Sequence, residues 1–200
     1  VYDDIAATYD AEIGFDETLM GLNWLRWFLL RQAQGDVLEA SCGTGRNTAY
    51  YKPAQLHSIT FVDQSPQMME LCEAKWRKCA SARAKVPATF KAQQMEGLSS
   101  NREQYDTIVQ TFGLCSVADP SGYLSHLASF LRPTGTIMLL EHGRSKYAFI
   151  NRILDRSVDQ HAQKWGCYYN RDIDQIINNC PELVVVKQRR FHFGTTYMTQ

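Results

Sequence analysis

The sequence has no excess of either charge: 21 Lys and Arg stand against 21 Asp and Glu, a formal net charge of zero. A general phosphate-backbone binder carries a basic excess, so broad nucleic-acid binding is not expected. No apolar run approaches the roughly 18 residues of a membrane span; the richest stretches are Trp24 to Leu30 and Ile137 to Leu140. Six cysteines (Cys42, Cys72, Cys79, Cys115, Cys167, Cys180) form no CxxC pair and no His/Cys zinc spacing, so no metal site is expected. They read as reduced, small apolar side chains of an intracellular protein. No repeat and no Gly-, Ser- or Pro-rich linker divides the chain. No GxxxxGK[ST] phosphate loop is present.

What is there fits one α/β domain spanning residues 1–200. Apolar residues make up 44% and charged residues 21%, ordinary globular usage. A chain of 200 residues folds without disulfides or a metal, because it buries roughly 70% of its extended surface. It begins at Val1 and is read as a piece of a longer protein, with any targeting or anchoring segment upstream of it. Residues 1–20 hold six acids (Asp3, Asp4, Asp10, Glu12, Asp16, Glu17) and no Lys or Arg, whereas residues 75–85 hold Lys75, Arg77, Lys78, Arg83 and Lys85. Short charge runs of this kind read as two solvated faces.

The periodicity alternates between strand and helix. Leu19, Leu22, Trp24 to Phe28 and Leu29 predict an amphipathic helix ending near Gly35. Strands are expected at Val37–Ala40, Ile59–Asp63, Asp106–Val109 and Thr136–Leu140, with Arg132 to Gly135 as a turn before the last. Helices are expected after Pro66, over Tyr123–Leu131, over Phe149–Trp165 and around Ile173–Ile177. Leu183–Val186 and Phe191–Tyr197 read as a terminal antiparallel hairpin joined by a short basic turn. Such alternation implies βαβ crossovers and a mostly parallel sheet with helices on both faces. Ligands then bind at the carboxyl ends of the strands, where strand order reverses.

The first strand enters Glu39-Ala40-Ser41-Cys42-Gly43-Thr44-Gly45-Arg46-Asn47. Glycines at 43 and 45, between a strand and an expected helix, let a ligand lie against bare main chain. The second strand ends in Asp63, 18 residues after Gly45, where a carboxylate can accept hydrogen bonds from a ribose diol. Thr48 occupies the position where a dinucleotide fingerprint carries a third Gly or Ala. Glu39 is awkward beside a pyrophosphate and suits a ligand bearing an ammonium group. Ribose, ammonium and no phosphate together describe S-adenosylmethionine.

Glu39 to Asn47, Phe61-Val62-Asp63, Gln93 to Leu98, Tyr105 to Thr111 and Leu131 to Gly135 resemble the successive motifs of class I S-adenosylmethionine-dependent methyltransferases. Tyr2 to Ala6 and Tyr9-Asp10 resemble that family's N-terminal helix, which makes residues 1–35 the expected cofactor lid. The resemblance implies a Rossmann-like, seven-stranded, mostly parallel sheet with a C-terminal antiparallel hairpin. It implies cofactor contacts from Glu39, Ser41, Gly43, Gly45, Asn47, Asp63, Gln64, Gln94, Met95 and Thr111, and S-adenosylhomocysteine as product. Ser41 stands where the motif has its first glycine, and fits if its hydroxyl turns from the ligand. Gln94 replaces a frequent Asp, offering an amide acceptor without charge.

Leu114 to Val117, Leu140 to Gly143, Asn151 to Asp155, His161 to Gly166 and His192 to Tyr197 resemble a narrower branch. It contains the animal thiol methyltransferases and a fungal mitochondrial suppressor of oxidase-assembly mutations. That likeness implies a small-molecule acceptor, with a thiol as one option, and a mitochondrial protein held at the inner membrane by a segment outside this sequence. Residues 147–169 fall where the family inserts acceptor-specific elements, so His161 and Trp165 are expected to face the acceptor, and Phe112 is a further candidate to line that region. An ordinary covering helix is the competing reading, under which Trp165→Ala would unfold the domain. His142 is the candidate base, Tyr9 a candidate to line the transfer region, and Arg144 a candidate cation for lowering a thiol's pKa. The loop Gln110-Thr111-Phe112-Gly113 lacks the Asn/Asp-Pro-Pro-aromatic pattern of enzymes that methylate exocyclic amines of bases. Quinone or lipid C-methylation, a non-catalytic assembly role and RNA methylation using the basic stretch Lys75 to Lys85 are the alternatives.

Overall fold

The computed structural model describes residues 2–78, 85–98 and 104–200; Cys79 and Arg83 lie outside them. Two helices open the chain, α1 (Tyr2–Leu19) and α2 (Leu22–Leu30). Gly21, at φ 70°, breaks the helix expected to run on from Leu19. Only its left-handed backbone permits so sharp a redirection. α2 buries Leu22, Leu25, Arg26, Leu29 and Leu30, the spacing of one helical face.

Then follow β1 (Gly35–Ala40), β2 (Leu56–Asp63), α3 (Pro66–Lys78), β3 (Ala88–Ala92), β4 (Tyr105–Thr111), α4 (Pro120–Ala128) and β5 (Leu131–His142). The chain ends with α5 (Ala148–Trp165), α6 (Ile173–Asn178), β6 (Gln188–Phe191) and β7 (Thr196–Thr199). The sheet order is β3-β2-β1-β4-β5-β7-β6. β1 pairs in parallel with both β2 and β4, so strand order reverses there. β7 pairs antiparallel to β5 and to β6.

Period-two alternation sends Val37, Ile59, Phe61 and Val109 to one face, under α2 and the α3 residues Met69, Cys72 and Trp76. Leu38, Val62, Ile108 and Leu139 go to the other face, under Leu124 and Leu127 of α4 and Ile173 and Ile177 of α6. Polar caps start three helices. The Ser65 hydroxyl accepts from Met68 N–H, Asp119 from Gly122 N–H and Asp172 from Gln175 N–H.

Three expectations shift. The basic stretch Gln188–Phe191 is itself a strand, the turn lies at His192–Gly194, and Val184 and Val186 are exposed. The hydrophobic run at 183–186 therefore lies outside the ladder, whose register is set by pairing with β5. Arg132 to Gly135 lies within β5 as an irregularity in its register with β4. After the glycine turn there is no regular helix. Residues 43–50 form successive turns closed by Thr48 N–H to Gly45 O (3.1 Å) and Tyr50 N–H to Asn47 O (2.9 Å).

Candidate functional site

A cavity of about 550 Å³ opens at the carboxyl ends of the parallel strands, beside the point where strand order reverses. Gly43 forms part of its floor. It has φ 53°, and a Cβ placed there would meet nothing within 4 Å, so the main chain faces open space. Asp63 Oδ2 accepts the Gly43 N–H at 2.8 Å, and Oδ1 accepts the Ser65 N–H at 3.0 Å. The carboxylate at the end of β2 is thus fixed across the glycine turn and lines the cavity.

Gly45 does something different. At φ 77°, its Cβ would lie 2.8 Å from Cys72 Cα. Its missing side chain lets α3 close on the turn. Ser41 takes φ 49°, a glycine-like conformation, and its hydroxyl lies 3.0 Å from the Tyr123 hydroxyl. Gln64 after β2, and Gln94 and Met95 after β3, complete this side of the cavity.

Glu39 and Asn47 stand behind the turn, outside the cavity lining. Glu39 accepts the Tyr51 O–H at 2.6 Å and the Asn47 amide at 3.1 Å. Burial pushes its carboxyl up to about 7, against the pull of those bonds and of Arg26. Asn47 accepts from Arg26 at 2.7 Å and donates to the Thr111 hydroxyl at 3.0 Å. Arg26 also donates to Thr111 and is paired with Glu17 at 2.9 Å, both side chains buried. Glu39 is therefore linked to the cavity-lining Thr111 through Asn47. Sequence reasoning missed Arg26. Its signal was an arginine on the apolar stripe of α2, between Leu25 and Leu29.

Two acids of α1, Asp10 and Glu17, are not part of a solvated face. Asp10 accepts from Thr44 (2.7 Å), Arg46 (3.1 Å) and Lys75. Glu17 pairs with Arg46 as well as Arg26. Burial works against both carboxylates, but these donors outweigh it and hold both below the ordinary range. α1 is thereby fastened to the glycine turn and to α3. Lys78 and Lys85, by contrast, are exposed as expected.

The far wall is aromatic. Tyr9, Phe112, His142, His161 and Trp165 all line the cavity. Phe112 takes φ 54°, and its ring lies 4.3 Å from that of His142. That backbone is held by Glu141, whose Oε1 accepts the N–H groups of Gly113 (3.1 Å) and Leu114 (3.3 Å). Burial lowers His142 to about 4, so the imidazole is neutral at physiological pH and only weakly basic. Arg144 is paired with Asp155 through two bonds of 2.9 Å and does not line the cavity, so it is no cation for the acceptor.

Trp165 packs edge-on against Tyr9 at 6.3 Å, joining α5 to α1. Val158 is the buried residue of α5. Trp165 is half-buried, so Trp165→Ala is expected to lower stability by about 1–2 kcal/mol, less than the roughly 3–5 kcal/mol of a fully buried Trp. Urea denaturation with an unchanged slope checks this; collapse of the fold would place Trp165 in the core.

Far from the cavity, at the opposite end of the strands, ligand atoms of Asp36, His57 and Asp106 lie within 4.8 Å of one another. Arg132 pairs with both carboxylates, so its guanidinium already supplies the cation there.

The profile of the methyltransferase domain family matches residues 15–179. The chain is 39% identical over 208 residues to Methyltransferase OMS1, mitochondrial, of Saccharomyces cerevisiae, covering 98% of this chain and 44% of that protein. It is 28% identical over 120 residues to human thiol S-methyltransferase TMT1B, covering 59% of this chain and 48% of that protein. It thus spans less than half the length of either relative. The N-methyltransferase NodS of Bradyrhizobium japonicum, solved with S-adenosylhomocysteine, superposes with a TM-score of 0.64 at 16% identity. That alignment covers 90% of this chain and 84% of NodS and shows the shared fold.

Proposed function

The chain belongs to the methyltransferase domain family, and from that premise we propose that it transfers a methyl group from S-adenosylmethionine to a small acceptor, releasing S-adenosylhomocysteine. The observation that carries this reading is the open main chain at Gly43 with the Asp63 carboxylate fixed across it. Gly43, Asp63, Gln64, Gln94 and Met95 would hold the adenosyl half. Ser41 and Thr111, held by Tyr123 and by Arg26 with Asn47, would face the amino-acid half. In the lining the acids Glu12, Glu17, Asp63 and Glu96 outnumber Arg26 and Arg46, which suits a ligand of positive charge. Bound there, S-adenosylmethionine would supply a methyl carbon activated by a positive sulfur.

The protein's part is alignment and exclusion of water. Tyr9 and Trp165 close the cavity from α1 and α5, and Phe112 walls it from β4. An aromatic wall also tolerates a neighbouring cation. His142, neutral and weakly basic, shapes this wall and suits an acceptor that arrives already nucleophilic, such as a thiolate. The name of the human relative, a thiol S-methyltransferase, supports a thiol acceptor. The name of the yeast relative supports a mitochondrial location. An inner-membrane position would rest on an anchor outside these residues, since no described helix is long and apolar enough to cross a membrane.

The test is Asp63→Ala with S-adenosylhomocysteine binding read by calorimetry. Affinity should fall by roughly 1.5–3 kcal/mol, about 10- to 150-fold, if the carboxylate holds the ribose diol. Unchanged affinity with the fold intact would remove Asp63 from the site and the reading with it.

A further inference from the structure

Two cysteines on the acceptor side of the cavity belong to different segments of the chain. Cys115 lies in the short turn Leu114–Ser116 after β4, and Cys167 follows Gly166 at the end of α5. Both are buried and both line the cavity. The neighbouring Cys167 thiol and burial push the Cys115 thiol up. Cys115 O accepts the Tyr168 N–H at 2.9 Å, which brings the two backbones to adjacent positions. A disulfide requires neighbouring backbones of this kind, with Cα atoms roughly 4.4–6.8 Å apart. The described cysteines are free thiols in this structure.

We propose that Cys115 and Cys167 form a reversible dithiol–disulfide site in the cavity wall, oxidised by a small organic disulfide that enters from the acceptor side. One cysteine, as its thiolate, attacks a sulfur of the incoming disulfide. That S–S bond breaks, and the leaving thiolate takes up the proton the cysteine gave. The second cysteine then attacks the mixed disulfide, forming the Cys115–Cys167 bond and releasing a second small thiol with the second proton. The protein gives up two electrons and two protons; the disulfide becomes two thiols. The bond joins the loop after β4 to the end of α5, so it fixes the acceptor wall while leaving the Gly43–Asp63 side unlinked.

Cys42 and Cys72 make the comparison. Their thiols are also neighbours, but Cys72 has no exposure and is sealed against Gly45 beneath the glycine turn. A disulfide arriving through the cavity reaches Cys115 and Cys167 without disturbing that packing.

The experiment treats the reduced protein with hydroxyethyl disulfide and follows intact mass and peptide mapping. The expected result is a loss of two hydrogens, a peptide joining Cys115 to Cys167, and full reversal by dithiothreitol. Cys115→Ser and Cys167→Ser should each abolish the link and leave a mixed adduct on the remaining cysteine; Cys72→Ala should leave the link intact. Either serine variant alone suffices if the other does not fold. Adducts without a cross-link, or a link between Cys42 and Cys72 in its place, would overturn the proposal. S-adenosylhomocysteine affinity is measured on reduced and oxidised protein and should change less than twofold. The cross-link is read without any methyl transfer, so its failure and that of the proposed activity are separate outcomes.

Discussion

Replacing Arg26 by methionine is expected to destabilise the protein by about 3–5 kcal/mol, the cost of removing one partner from a buried ion pair. Arg26 is 4% exposed, and it serves Glu17, Asn47 and Thr111 at once. Without it, the Glu17 carboxylate loses its buried cation and keeps only Arg46, while Asn47 and Thr111 lose a donor. Methionine fills similar volume, so the loss reads the polar network and not a cavity. Chemical denaturation measures it. The double variant Glu17→Gln/Arg26→Met should recover part of the loss, because the uncompensated charge is then gone. A loss below 1 kcal/mol would mean that solvent reaches Glu17 and that α1 is not fastened as described.

The second large effect is a pH dependence at Glu39. The folded protein keeps this proton up to about pH 7, while the unfolded chain gives it up near 4.5. Between those values the native state binds more protons than the unfolded state. Stability from this group is therefore fully present below 4.5 and is lost as pH rises through 7. The separation of the two values corresponds to roughly 3 kcal/mol. Glu39→Gln cannot titrate, so its stability relative to the native protein should rise by about that amount between pH 4.5 and 8. His142 acts oppositely. Its folded value near 4 lies below the ordinary 6.5, so its contribution is lost as pH falls from 6.5 toward 4. Comparing the two proteins at each pH cancels the histidine and isolates Glu39. Parallel stability curves would show that Glu39 is ionised throughout.

Legibility in the sequence followed the range of the interaction. Gly43 and Asp63 were readable because a glycine turn at one strand end and an acid at the next meet wherever parallel neighbours align. His161 and Trp165 were expected from where the family inserts acceptor elements, His142 from its place after the fifth strand, and Tyr9 and Phe112 as aromatics of the transfer region; all five line the cavity. The packing role of Gly45 against Cys72 was not legible, because a left-handed glycine looks the same whether a ligand or a helix approaches it. Asp10 and Glu17 passed for a solvated face because their partners, Arg46, Lys75 and Arg26, lie from 9 to 65 residues away. Glu39 was read as a ligand contact because nothing local reveals that it is buried against Tyr51 and Asn47 behind the turn.

Most of the alternation of strands and helices, the two faces of the sheet and the position of the glycine turn were determined by the sequence alone; β3, β6 and the non-helical turns at 43–50 were not. Side-chain periodicity and turn residues are properties of neighbours along the chain. Which carboxylates are buried, which glycine faces the cavity and which cysteines touch were decided only by the tertiary structure. Those depend on groups brought together across the sheet, where desolvation and the reach of one guanidinium set the charge of every acid around it.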